Sequence, residues 1–109
     1  MAKIDQVNEL IRQELAVAVN REIGLPDALI TIVFVDCSPD YKYARVGFSV
    51  LPDKLAGTAL KKLKASSGLL ASILIKKTKL RRLPHFNWTF DATEREASKI
   101  EELIKEIEE

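Results

Sequence analysis

Two adjacent segments of the chain have the residue pattern of a β-hairpin, and this pattern restricts the fold more than any other feature. Residues 29–37, LITIVFVDC, are mostly β-branched or aromatic, and their apolar side chains fall on both faces, which is typical of an inner strand. Ser38-Pro39-Asp40 then favours a turn. In residues 44–50 apolar residues alternate with polar or small ones, as in a strand buried on one face. We therefore expect an antiparallel pair of strands.

Helical patterns flank this hairpin. Residues 4–23 have apolar positions three or four apart and end before Gly24 and Pro26, which predicts an amphipathic helix. Two more helices are expected after Pro52, separated by the small residues 65–68. In the later of the two, we expect the following side chains to point into the core: Leu69, Leu70, Ile73 and Leu74.

A third strand and a last helix complete the pattern. Phe86, Trp88 and Phe90 alternate with polar residues, so we expect them on the face of the sheet that packs against the helices, where they cannot act as a base-stacking platform. Because helices separate this strand from the second, the two can pair in parallel. A capping box beginning at Thr93 predicts a helix over about 93–108. The sequence thus predicts one α+β domain over residues 1–109, with the order αββααβ(α) and a mixed three-stranded sheet covered by helices.

Charge is unevenly distributed along the chain. Residues 54–90 contain nine Lys or Arg and no Asp or Glu, although the formal net charge of the chain is only +1. Clustered positive side chains repel one another in the folded state, so such a cluster is more easily explained if an anionic partner binds there. The alternative is a lysine-rich face that is only solvated. The candidate cations lie on the two middle helices and the segment after them: Lys61, Lys62, Lys64, Lys76, Lys77, Lys79, Arg81 and Arg82.

Motifs for catalysis or metal binding are missing from the sequence. Cys37 is the one cysteine and His85 the one histidine, so neither a disulfide nor a zinc site of these residues is expected. The chain has no phosphate-binding glycine loop and no Ser/His/Asp constellation, and Asp40 is typical of a turn residue. No stretch is long and apolar enough for a membrane span. We expect a soluble cytoplasmic protein without cofactor, metal, small-molecule substrate or enzymatic activity.

Spaced residues along nearly the whole chain, from Val7 to Ile107, resemble the ribosome-binding factor A family, whose fold is a type II K-homology (KH) domain. The first hairpin matches at Thr31, Val33, Ser38, Asp40, Ala44 and Val46. The segment entering the third strand matches at Leu80, Arg81, Pro84, Phe86, Trp88 and Asp91. The first helix matches at Gln13, Glu14, Leu15, Arg21, Glu22 and Ile23.

The resemblance implies a non-catalytic, monomeric assembly factor that binds 16S ribosomal RNA on the free small (30S) ribosomal subunit during late maturation and rRNA processing. The Gly-x-x-Gly loop of other KH domains is absent, and the family's Ala-x-Gly helix joint corresponds here to Ser66-Ser67-Gly68. The resemblance therefore adds Ser66 and Gly68 to the eight cations as expected RNA-binding residues. We also expect the two middle helices to meet at a kink in this joint, set by a positive φ at Gly68. Trp88 stands where phenylalanine is commoner, and Gln6 where the family often has arginine.

Three alternatives stay open at this point. The chain is a generic KH-like RNA-binding module, a protein-interaction module that uses the apolar stripe of the last helix, or a protein whose residues 60–82 lie on an anionic membrane. The membrane hypothesis is weakened if Leu69, Leu70, Ile73 and Leu74 are all needed for the core. The interaction module is compatible with RNA binding.

Overall fold

The structure, a computed structural model, describes residues 3–91. Within them the chain forms six main elements: α1 (Lys3–Glu22), β1 (Leu29–Cys37), β2 (Tyr43–Leu51), α2 (Ala56–Ala65), α3 (Ser67–Lys77) and β3 (His85–Phe90). A single 3-10 turn at Asp53–Leu55 leads into α2. The predicted order αββααβ is confirmed. The helix predicted over 93–108 lies outside the described residues.

The sheet has the strand order β1-β2-β3, with β1 antiparallel and β3 parallel to β2. The mixed sheet is confirmed, but the prediction that residues 29–37 form an inner strand is wrong. β2 is the central strand and β1 lies at an edge, and Leu29 of β1 is 57% exposed. The apolar residues on the second face of β1 follow from a β-bulge between Ile32 and Phe34, which interrupts the alternation of the strand.

The edge of β1 is partly covered by α1. The backbone N–H of Cys37 donates a hydrogen bond of 2.9 Å to Oδ1 of Asn8 in α1. This bond satisfies a donor that would otherwise be free at a sheet edge, and it fixes α1 alongside the strand.

The core lies between the three described helices and one face of the sheet. Leu15 of α1, Leu63 of α2 and Leu70 of α3 are fully buried in one cluster with Val46 and Phe48 of β2. Because the helices bury their apolar faces against the same strand residues, this packing fixes the position of α2 and α3 relative to the sheet.

The aromatic residues of β3 belong to this core, as predicted. Phe86 and Trp88 are buried, and Phe90 is half-buried against the same cluster. Phe48 contacts Trp88 and Phe90 edge-to-face, with ring centroids 6.5 and 5.9 Å apart. The prediction for Leu69 is wrong: its side chain is 52% exposed, since it lies one position away from the buried stripe of α3.

The opposite face of the sheet has one well-packed point. Gly47 lies beneath the ring of Phe34, and a Cβ at residue 47 would overlap that ring. The guanidinium of Arg45 lies over the same ring, 5.4 Å from its centroid. The glycine therefore provides the space that Phe34 occupies.

Candidate nucleic-acid interface

A single residue separates α2 from α3. Ser66 has φ −97° and ψ 1°, outside the regular helical region, whereas the residues on both sides are helical. Its N–H is shared between the carbonyls of Lys62 and Leu63 at 3.0 and 3.2 Å, and its carbonyl accepts from the N–H of Leu70 at 2.9 Å. The hydrogen-bond ladder thus passes through the joint, and the direction of the chain changes at Ser66.

Gly68 does not have the backbone conformation that the sequence predicted. No glycine among the described residues has a positive φ, and Gly68 lies in the first turn of α3 with open space where a Cβ would be. The prediction of a positive φ at Gly68 is wrong, because the kink is made two residues earlier by an ordinary backbone conformation of Ser66. Gly68 is exposed, so its role in RNA binding stays a prediction.

Sequence reasoning missed Ser67, the residue that ties the joint to the sheet. The indole Nε1–H of Trp88 donates to Oγ of Ser67 at 2.8 Å, and Oγ of Ser67 lies 3.0 Å from the carbonyl oxygen of Leu63, to which it donates. These two bonds link β3, the first residue of α3 and the last turn of α2. The core position predicted for Trp88 was the signal, since a buried indole N–H needs an acceptor.

Three of the predicted cations lie on α2. Lys61 and Lys64 are exposed and three residues apart, so they share one face of the helix near the joint. Lys62 points elsewhere: its ammonium group donates to the carbonyl oxygen of Gly24 at 3.4 Å, after the end of α1. Lys61 and Lys64 are called the joint lysines below.

The other five predicted cations occupy residues 76–82, called the basic segment below, and all five are exposed: Lys76, Lys77, Lys79, Arg81 and Arg82. Thr78 ends α3, with its N–H and its Oγ1 both 2.8 Å from the carbonyl oxygen of Leu74. Leu80 and Leu83 are half-buried against the core and Pro84 is buried. The backbone of the basic segment is therefore anchored by apolar side chains while its cations face solvent.

The two groups of cations lie near opposite ends of α3, since Lys76 and Lys77 belong to its last turn. That helix has 11 residues and spans about 16 Å. None of the eight cations is ion-paired with a carboxylate in the described part of the chain, whereas Arg12 on α1 is paired with Glu9. Lys76 and Lys77 also lie at the negative end of the α3 dipole, which favours cations there without any ligand. Phosphate groups can therefore contact cations in two areas, one at the joint lysines and one at the basic segment, near the two ends of α3.

The order αββααβ, with a mixed sheet covered on one face and a kinked helix pair, defines a KH-like domain. A family model described as ribosome-binding factor A matches residues 3–104. The chain belongs to the ribosome-binding factor A family.

Individual relatives agree with this assignment. The chain is 33% identical over 102 residues to a ribosome-binding factor A of Cupriavidus metallidurans, with 93% of this chain and 82% of that protein covered. It is 26% identical over 106 residues to a ribosome-binding factor A of Akkermansia muciniphila, with 97% of this chain and 85% of that protein covered. The crystal structure of ribosome-binding factor A from Thermus thermophilus superposes with a TM-score of 0.71 at 20% identity, covering 80% of this chain and 93% of that one, which shows the shared fold.

The helices also bear on the membrane alternative. In residues 3–91, no helix has the length and apolar character needed to cross a bilayer.

Proposed function

We propose that this protein is a non-catalytic ribosome assembly factor that binds the free small (30S) subunit through its 16S ribosomal RNA during late maturation. It acts in the cytoplasm as a single domain and a monomer, and it leaves the subunit before translation. The proposed RNA-binding residues are those predicted from the sequence: the eight cations together with Ser66 and Gly68. Membership of the ribosome-binding factor A family supports this proposal, since the relatives are named for ribosome binding.

The observation that carries the proposal is that the cations are exposed and form no ion pair with a carboxylate within residues 3–91. Residues 54–90 contain no acid, and the described part of the chain brings no carboxylate into an ion pair with the joint lysines or the basic segment. Cations that are not neutralised by the protein itself are available to phosphates, and each phosphate contact releases condensed counterions from the RNA.

The two arginines of the basic segment can contact RNA in a second way. A guanidinium plane stacks on an unpaired base and also forms paired hydrogen bonds with a phosphate, whereas a lysine ammonium acts as a point charge. Arg81 and Arg82 are exposed directly after the α3 end that carries Lys76 and Lys77. We therefore assign base or backbone recognition to these arginines and phosphate contacts to the lysines.

Sucrose-gradient sedimentation of cell extract tests the proposal. The wild-type protein should migrate with free small subunits and be depleted from translating ribosomes. The double variant Lys76→Gln/Lys77→Gln should move toward the top of the gradient. A matched control, Lys3→Gln/Arg21→Gln, removes the same formal charge from α1 and should stay with the subunit. Equal occupancy of free subunits and translating ribosomes would contradict the proposed role.

The exposed side chains of Leu69 and Ile75 favour one second candidate, attachment of α3 to an anionic membrane surface. Both are more than two-fifths exposed and lie on the helix that carries Lys76 and Lys77. Leu70 and Leu74 are fully buried, however, so α3 offers lipid two isolated apolar side chains, which are common on protein surfaces. Flotation with anionic liposomes separates the two functions, and we expect no flotation.

A further inference from the structure

An aromatic cluster occupies the end of the sheet at which β2 and β3 begin. The rings of Tyr43 and His85 are in contact there, and Tyr41 lies in the turn just before β2. Tyr43 and His85 are partners in the parallel register, and their rings meet edge-to-face with centroids 6.2 Å apart and planes at 80°. Tyr43 is 55% exposed, and His85 is also exposed. These three residues are called the aromatic end below.

The backbone of the aromatic end is held firmly. The carboxylate of Asp40 accepts from Oγ of Ser38 at 2.7 Å and from the N–H of Lys42 at 3.0 Å, and the N–H of Ser38 donates to the carbonyl of Tyr43 at 2.8 Å. The N–H of His85 donates to the carbonyl of Lys42 at 2.9 Å. Binding of a ligand to these rings therefore costs little ordering entropy.

Tyr41 adds an unusual backbone conformation. Its φ is 59°, in the left-handed region where glycine or asparagine costs less than an aromatic residue. Its ring is 37% exposed, so burial in the core does not explain why a tyrosine is found there. The conformation belongs to the hairpin turn, in which the N–H of Tyr41 donates to the carbonyl of Ser38 at 2.9 Å, and this turn leaves the tyrosine in solvent.

The aromatic end adjoins the basic segment. Two residues, Leu83 and Pro84, lie between Arg82 and His85, so the Cα atoms of Arg82 and His85 are at most about 11 Å apart. Lys42, just before β2, and Arg45, on β2, are both exposed. The acid of the turn, Asp40, has its carboxylate directed into the turn bonds described above, and the pKa of that carboxyl is lowered by the Ser38 hydroxyl and the Lys42 N–H. Cations thus flank the exposed rings along the chain.

We propose that the aromatic end is a second RNA contact, at which an unpaired base of single-stranded RNA stacks on Tyr43. Because the two rings meet edge-to-face, His85 covers at most one face of the tyrosine ring, and the other face stays available to a base. The RNA backbone then continues from this base to Arg82 and Arg81. This inference rests on the proposed function, which supplies the RNA and the basic segment.

Binding of paired oligonucleotides tests the inference. One ligand is a single-stranded RNA of about twelve nucleotides without self-complementarity, and the other is the same RNA with abasic sites at its central positions. Wild-type protein should bind the intact RNA at least about 5-fold more tightly than the abasic RNA, the lower end of the range expected for stacking of one base. Tyr43→Ala should lose this preference, whereas Tyr43→Phe, which keeps the ring, should retain it. Fluorescence of the buried Trp88 checks that each variant is folded.

The outcomes distinguish this inference from the proposed function. The variant Lys76→Gln/Lys77→Gln should weaken binding of both oligonucleotides by the same factor and keep the preference for bases. A wild-type protein that sediments with free subunits but binds both oligonucleotides equally, or binds neither, overturns the stacking contact alone. Full retention of the preference in Tyr43→Ala also overturns the stacking contact. A wild-type protein that does not sediment with small subunits overturns the proposed function, whatever the oligonucleotides show.

Discussion

The hydrogen bonds that join Trp88, Ser67 and Leu63 predict a measurable coupling between the sheet and the helix joint. Trp88 is only 8% exposed, and its N–H donates to a hydroxyl group that itself donates to a helix carbonyl. Replacing Trp88 with phenylalanine removes the first bond and part of a buried ring. Replacing Ser67 with alanine removes both bonds and leaves the indole N–H without its acceptor.

The expected magnitudes follow from these contacts. Trp88→Phe loses a hydrogen bond worth about 0.5–1.5 kcal/mol and leaves a small cavity, so the free energy of unfolding should fall by about 1.5–3 kcal/mol. Ser67→Ala leaves a buried donor unpaired, at a cost of about 1–2 kcal/mol, of which the higher helix propensity of alanine returns roughly 0.5 kcal/mol.

A double-mutant cycle measures the bond between the two side chains. Urea unfolding followed by circular dichroism gives the free energy of unfolding for the wild type, both single variants and the double variant. In the double variant the second substitution breaks no further bond between the two side chains. The loss of unfolding free energy in the double variant should therefore be smaller than the sum of the two single losses by about 0.5–1.5 kcal/mol. In thermal unfolding, each kcal/mol should correspond to roughly 4–8 °C in Tm.

Ser66→Ala is the matched control. It removes a hydroxyl from the neighbouring residue and leaves the Ser67 bonds in place, so its coupling to Trp88→Phe should be close to zero. A coupling between Ser67 and Trp88 below about 0.3 kcal/mol, or one equal to that of Ser66, would refute the reasoning.

Three further predictions concern other parts of the fold. Gly68→Ala should raise the free energy of unfolding by up to about 1 kcal/mol, because an exposed helical glycine with free space gains helix propensity, and thermal unfolding measures this. Gly47→Ala should cost about 1–3 kcal/mol because the new Cβ displaces the Phe34 ring, and it should be less than additive with Phe34→Ala in urea unfolding. The pKa of Glu9 is lowered to about 2 by the hydrogen bonds it accepts, chiefly from the Arg12 guanidinium, so carboxyl titration by NMR should show it ionised well below pH 4.5.

The lowered pKa of Glu9 also fixes how its contribution to stability changes with pH. Because its pKa is lower in the folded state than in the unfolded chain, its contribution to stability is present above about pH 4.5 and is lost as the pH falls toward 2. Arg12→Ala should return the Glu9 midpoint toward 4.5. A wild-type midpoint already at 4.5 would contradict this account. A loss of stability in Gly68→Ala would contradict the first glycine prediction. A Gly47→Ala variant as stable as the wild type would contradict the second.

The elements of this fold could be predicted because their patterns are local. The spacing of apolar residues in α1 and the alternation in Phe86-Asn87-Trp88 gave bounds within about a residue of those in the structure. The position of β1 in the sheet could not be predicted in this way. Its apolar residues on both faces are typical of an inner strand, but a bulge at Val33 and coverage by Asn8 of α1 account for them at an edge.

The exposure of the candidate cations could be predicted from the sequence, but the hydrogen bonds around the helix joint could not. The acid-free stretch identified the cations, because charge is visible in sequence. The hydrogen bond from Trp88 to Ser67 joins residues 21 positions apart. No local sequence pattern shows which hydroxyl group accepts from a buried indole N–H. The positive φ predicted for Gly68 was wrong because glycine permits a positive φ without requiring one, and Ser66 makes the kink with φ −97°.

The salt dependence of binding to purified free small subunits tests the central claim most directly, which is that the exposed cations of residues 61–82 bind ribosomal RNA phosphates. About five phosphate contacts would give a slope of log affinity against log salt near −4, at about −0.7 to −0.9 per contact. Lys76→Gln/Lys77→Gln should make the slope shallower by about 1.4–1.8, since two contacts are lost. Lys3→Gln/Arg21→Gln should leave it unchanged. A slope that is the same in the wild type and in Lys76→Gln/Lys77→Gln would contradict the claim and leave the basic segment as a solvated surface.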